Sequence, residues 1–110
     1  MDGSSVMDPV RELLEEYHAA LQEAARLEAE IENAEHLRKV IIADESPKDL
    51  PEWKADARAR TTQRYIDHLA EIHRLKLAAG AARAKADYLE LRLGVWRTRE
   101  AGRRTQQRGD

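Results

Sequence analysis

The sequence predicts an all-α chain folded as a long antiparallel two-helix hairpin of coiled-coil type. Apolar residues recur at alternating spacings of three and four in two long stretches, and a single Pro-rich segment separates those stretches. Ala, Glu, Leu and Arg dominate a composition that is 36% charged and contains no Phe, as in long helices rather than thick globular cores. At 110 residues the chain fits one domain near the lower size limit for burying its own core.

Residues 1–7 are polar and acidic and are expected to be flexible. Met1–Asp8 has no basic segment followed by an apolar one, so no signal peptide is expected. Asp8-Pro9 reads as a helix start, with Asp able to accept hydrogen bonds from the first N–H groups and Pro suited to the first helical position. From there Val10, Leu13, Tyr17, Ala20, Ala24, Leu27, Ile31, Ala34 and Ile41 form a heptad stripe. Leu14, Leu21 and Leu37 widen the stripe, and Arg38 is its one charge. The first helix is placed at 8–43.

Two Pro residues beside Ser and Asp within 44–51 mark a turn, and Asp49 with Glu52 reads as a capping box for the next helix. Tyr65, Leu69, Ile72, Leu75, Ala79, Ala82, Ala86, Leu89, Leu93 and Trp96 share one face of that second helix, placed at 52–105 without a further break. Gly80 and Gly94 are expected to lie within it, and Trp53 to cover the turn. A flexible tail is expected over 106–110.

The two helices differ in length, about 50 Å against about 80 Å at 1.5 Å per residue. Folded back at residue 44, they would place Ala43 beside Glu52 and Pro9 beside Ala86. The second helix would then overhang, leaving Tyr88, Leu89, Leu91, Leu93, Val95 and Trp96 uncovered. Uncovered apolar surface of this kind marks an interface. Tyr88, Leu89, Leu93 and Trp96 are therefore the expected oligomer or partner contacts, in a helical-bundle dimer or tetramer closed by two-fold symmetry.

Charge is distributed unevenly. Residues 1–50 carry 5 Lys/Arg against 13 Asp/Glu, and residues 51–110 carry 14 against 8. Opposite halves of this kind suit helices that attract one another side by side. The excess is densest in 91–108, which has six Arg and one acid. On a helix Arg92, Arg99 and Arg103 form one stripe and Arg97, Arg104 and Arg108 another, with Trp96 between them. Arginine favours bidentate contacts to phosphate or carboxylate, and Trp can stack on a base. This stretch is a candidate site for nucleic acid, DNA or RNA, or for an acidic protein partner. The alternative is that Trp96 anchors an oligomer and the Arg residues pair with a neighbour's acidic helix.

Other chemistry finds little footing. The chain has no Cys, which excludes disulfides and thiol catalysis. His68 and His73 are five apart and fall on different helix faces, and Glu15-Glu16-Tyr17-His18 is a single Glu-x-x-His without the second copy a di-iron bundle needs. Ser4, Ser5 and Ser46 have no His placed near them, and no glycine-rich phosphate loop is present. No catalytic, metal or cofactor site is expected. With no apolar run near the roughly 20 residues of a membrane span, a cytoplasmic protein is expected.

Ala84-Lys85-Ala86-Asp87-Tyr88-Leu89-Glu90-Leu91-Arg92-Leu93, followed by Trp96-Arg97-Thr98-Arg99-Glu100-Ala101, resembles the ending of small helical phage and prophage proteins encoded among early recombination and replication genes. The similarity covers about a fifth of the chain. It implies a phage setting and supports nucleic acid as a partner. It carries over no catalytic residues. Secreted helical hairpins with a Trp-x-Gly turn are not matched, because Pro51-Glu52-Trp53-Lys54-Ala55 has no Gly. Two functions are expected from these readings. The first is a non-enzymatic, oligomerising adaptor that docks and modulates a host protein. The alternative is a nucleic-acid-binding accessory in phage DNA metabolism.

Overall fold

A computed structural model of the chain describes residues 9–109, with side chains over 9–106. The flexible start expected at 1–7, the cap at Asp8, the side chain of Arg108 and the last residue of the expected tail lie outside the described residues. The described residues are all-helical, with no strand. Helix α1 is Pro9–Glu45, α2 is Glu52–Ala59 and α3 is Gln63–Gly109. Contacts group the chain into two compact units, unit 1 from residues 1–24 with 81–110 and unit 2 from residues 25–80.

In unit 1, α1 and α3 pack antiparallel through a seam of small and branched residues. Ala20, Ala86 and Leu89 form its buried core, with Leu13, Tyr17 and Leu21 packed against them. Alanine at facing seam positions lets two helix backbones approach closely. Ala24, Ala82 and Leu93 are also buried.

In unit 2 the buried positions are Leu27, Ala34 and Ile41 on α1, Ala55 and Ala59 on α2, and Tyr65, Ile72, Leu75 and Ala79 on α3. Polar contacts join the long helices here as well. Arg64 reaches Asp44 and Glu45 at 3.5 and 3.3 Å, and Lys76 reaches Glu35 at 3.4 Å. His68 Nε2 lies 2.6 Å from the Ala34 carbonyl oxygen, and because a carbonyl can only accept, Nε2 carries the proton. His68 thus takes the half-buried seam position, while Leu69, expected there, is exposed.

The connection between the long helices corrects the expected single turn and unbroken second helix. Helix α2 ends at Ala59, and its last turn tightens through Thr61 N–H to the Arg58 carbonyl and Thr62 N–H to the Ala59 carbonyl. The Thr61 and Thr62 hydroxyls donate to those same two carbonyls at 2.7 and 2.8 Å. Thr62 Oγ1 then accepts from the Tyr65 N–H at 3.3 Å, which makes Thr62 the cap that starts α3. The adjacent threonines satisfy both the end of one helix and the start of the next, and so stop the helix from running through. Arg60 braces this junction, with Nε on Asp56 at 2.9 Å and a terminal nitrogen on the Tyr65 hydroxyl at 3.1 Å.

The capping box expected at Asp49 and Glu52 does not form. Pro51 caps α2 without a side-chain hydrogen bond, and its carbonyl accepts the Ala55 N–H. Helix α1 extends two residues past the expected 43, and α3 runs to Gly109 rather than ending at 105.

Candidate docking surface

Within unit 1, α3 presents apolar residues on two sides. Turning 100° per residue sets Leu91 about 160° away from both Leu89 and Leu93. Leu89 and Leu93 are 2% and 3% exposed, facing α1, whereas Tyr88, Leu91 and Val95 are 58%, 71% and 51% exposed. Trp96, 37% exposed, lies at the edge between these sides.

This division corrects half of the expected interface. Leu89 and Leu93 are core residues, not contacts for another molecule. The expected register had α1 beginning beside Ala86 and ending beside Glu52. In unit 2, however, Asp44 and Glu45 pair with Arg64, about a dozen residues beyond the Glu52 expected at that level. The cause is the connector, which spends residues on α2 and on the break at Arg60–Thr62 before α3 begins. In unit 1 Pro9 and Leu13 line one groove together with Tyr88, Leu91, Arg92, Val95, Trp96 and Arg99. The first turns of α1 therefore cover what was expected to be bare overhang. Tyr88 and Trp96 remain available, and Leu91 and Val95 join them.

Leu91 and Val95 form a ridge between two grooves. The first is the groove shared with α1. The second lies on the other flank, lined by Asp87, Glu90, Leu91, Gly94, Val95, Thr98 and Arg99. Gly94 contributes no side chain to its floor, and a Cβ there would meet nothing within 4 Å. The Thr98 hydroxyl is tied to the Gly94 carbonyl at 3.0 Å, which removes one polar group from the surface. The flanks differ in charge, with Arg92 and Arg99 lining the first groove and Asp87 and Glu90 lining the second together with Arg99.

Of the arginines expected to bind an anion, Arg92, Arg97, Arg99, Arg103 and Arg104 are exposed. The Arg92 guanidinium lies 5.9 Å from the Tyr88 ring centre, a cation–π distance that leaves its N–H edges open. Arg103 is paired with Glu100 at 3.5 Å. Arg97, Arg99 and Arg104 have no acidic partner among the described residues. Arg92 and Arg99 line the same groove.

Among the described residues no group of three His, Cys, Asp or Glu is placed to hold a metal ion, and no helix is long and apolar enough to cross a membrane. His18 and His36 are exposed on α1. In unit 2, Trp53 does not cover the turn as expected. It is 70% exposed with Lys54 Nζ 5.3 Å from its ring centre, beside a groove lined by Lys39, Ile42, Ala43 and Ser46. The exposure of Leu91 and Val95 was within reach of the sequence, since both fall outside the heptad stripe that contains Leu89, Leu93 and Trp96.

No protein-family model, curated protein or solved structure matches this chain.

Proposed function

We propose that this protein is a non-enzymatic interaction module that docks a protein partner on the Tyr88–Leu91–Val95–Trp96 surface of unit 1. One observation carries the reading: three large apolar side chains, each more than half exposed, adjoin one another on a helix whose opposite face is already buried. A contiguous apolar ridge flanked by grooves costs solubility unless something covers it. Self-association through the same ridge, to a dimer or tetramer, belongs to this reading, because a second copy is one such protein.

The experiment is site-specific photocrosslinking. A photoactivatable residue at position 91 should yield a protein adduct in the source cell that survives nuclease. The same group at Glu71, on an exposed stretch of unit 2, should not yield that adduct. Absence of any protein adduct at position 91 would overturn docking.

A second reading, nucleic-acid binding, is favoured by Arg97, Arg99 and Arg104, three cations without acidic partners among the described residues. In that case position 91 should crosslink to DNA or RNA. Affinity for oligonucleotides should also fall steeply with salt as phosphate counterions are released.

A further inference from the structure

We infer that the arginine-edged groove of unit 1 receives an acidic amphipathic helix from another protein; the inference rests on the docking reading and names its partner's chemistry. The groove has apolar lining from Leu13, Leu91 and Val95, with Arg92 and Arg99 as its cations. These arginines are seven residues apart, two turns of one helix, so their side chains stand on one edge about 10.5 Å apart along the axis. Neither has an acidic partner among the described residues, and Arg92 rests on the Tyr88 ring. A guanidinium at the rim of an apolar groove is completed by a carboxylate that arrives alongside apolar side chains.

The groove walls are helices whose backbone groups are already hydrogen-bonded, so they offer no edge for an added strand. The ridge spacing of three and four instead matches a helix laid into the groove with apolar residues at i, i+3, i+4 and i+7. Such a helix meets both arginines when its own acids recur at a spacing of seven.

The arrangement suits other anions poorly. A nucleic acid would set phosphates against Leu91 and Val95, and Asp87 and Glu90 on the far flank would repel its backbone. A lipid surface would bring anionic headgroups to both flanks of the ridge, including that acidic one.

The test uses the full chain and a fluorescein-labelled, 18-residue amphipathic peptide with Leu on one face and Glu beside it. A matched peptide with Lys in place of Glu serves as the comparison, read by anisotropy. The Glu peptide should bind the wild type more tightly than the Lys peptide. Leu91→Glu should abolish binding. Arg92→Glu with Arg99→Glu should weaken the Glu peptide by about tenfold and reverse the preference. These positions are exposed, so unchanged circular dichroism is expected and confirms that the variants fold.

Equal binding of the two peptides, or no response to the charge reversal, would overturn the inference. So would tighter binding of a single- or double-stranded oligonucleotide, or of anionic phospholipid vesicles, with the same loss in the double variant. If neither peptide binds while position 91 still crosslinks to protein, the acidic-helix assignment fails and docking itself stands.

Discussion

In unit 2 the long helices are joined by His68 on the Ala34 carbonyl, Lys76 on Glu35 and Arg64 on Asp44 and Glu45, in addition to their apolar seam. In unit 1 the core is a short apolar set, and the large exposed side chains gather on one side of α3 beside arginines. The same helix-forming pattern thus carries different burdens. Polar ties fix how two helices meet, while an unspent apolar ridge with unspent charge leaves surface for something else. In unit 1 the separation runs within a few residues, because Leu89 and Leu91 differ by two positions and face nearly opposite ways.

The sharpest way to break the comparison is a matched pair of truncations. Leu89→Ala should destabilise the protein by about 2–5 kcal/mol, because it empties part of a small core. Leu91→Ala should stay within about 0.5 kcal/mol, as for an exposed residue without such a role. Urea unfolding followed by circular dichroism measures both. If the two costs were equal, the division of α3 into a core face and a docking face would be lost.

A smaller effect is expected at the break between α2 and α3 in unit 2. Thr62→Ala removes the cap of α3 and one of the two hydroxyl bonds that end α2, and should cost about 1 kcal/mol. Thr61→Ala removes only the bond to the Arg58 carbonyl and should cost less. Amide hydrogen exchange at Tyr65 and Ile66 should quicken in the first variant more than in the second.

The smallest effect concerns protonation on the exposed side of unit 2. Hydrogen bonds from Arg74, at 2.5 and 2.9 Å, hold the Glu71 carboxyl below its ordinary value, aided by the Arg74 charge. A carboxyl lowered in the folded state adds stability above its ordinary pKa and loses it as pH falls through the lowered value. The pair is solvent-exposed and screened, so the stability change should be near the limit of detection. Carboxyl-carbon NMR should nevertheless show Glu71 titrating below ordinary glutamate, and Arg74→Gln should return it to the ordinary range.

The sequence made the helical class and the seam legible, because burial against a partner helix imposes the spacing of three and four. Ala20, Ala24, Leu27, Ala34 and Ile41 on α1, and Ile72 through Leu93 on α3, are buried where that spacing put them. The break between α2 and α3 was less legible. Thr61-Thr62 has no Gly or Pro, and the two hydroxyls act through hydrogen bonds that depend on where each helix end lies. Missing it shifted the register, and the shift made Leu89 and Leu93 look bare. The prominence of the arginines was readable from composition. Which of them share a groove with apolar residues depended on how far α1 reaches along α3.

The polar seam residues of unit 2 have a further consequence. Apolar residues at heptad spacing face apolar residues again when one helix slides past the other by seven positions. The contacts across the seam remove that degeneracy. Such a slip would take His68 away from the Ala34 carbonyl and Arg64 away from Asp44 and Glu45. Arg38, also at a seam position, carries a buried Nε only 3.1 Å from Glu35 without the alignment of a hydrogen bond, a local cost in stability. A polar group placed in an apolar seam trades stability for a single alignment. His68 works as an indexing key, and with His68 changed to leucine, unit 2 should sample more than one alignment.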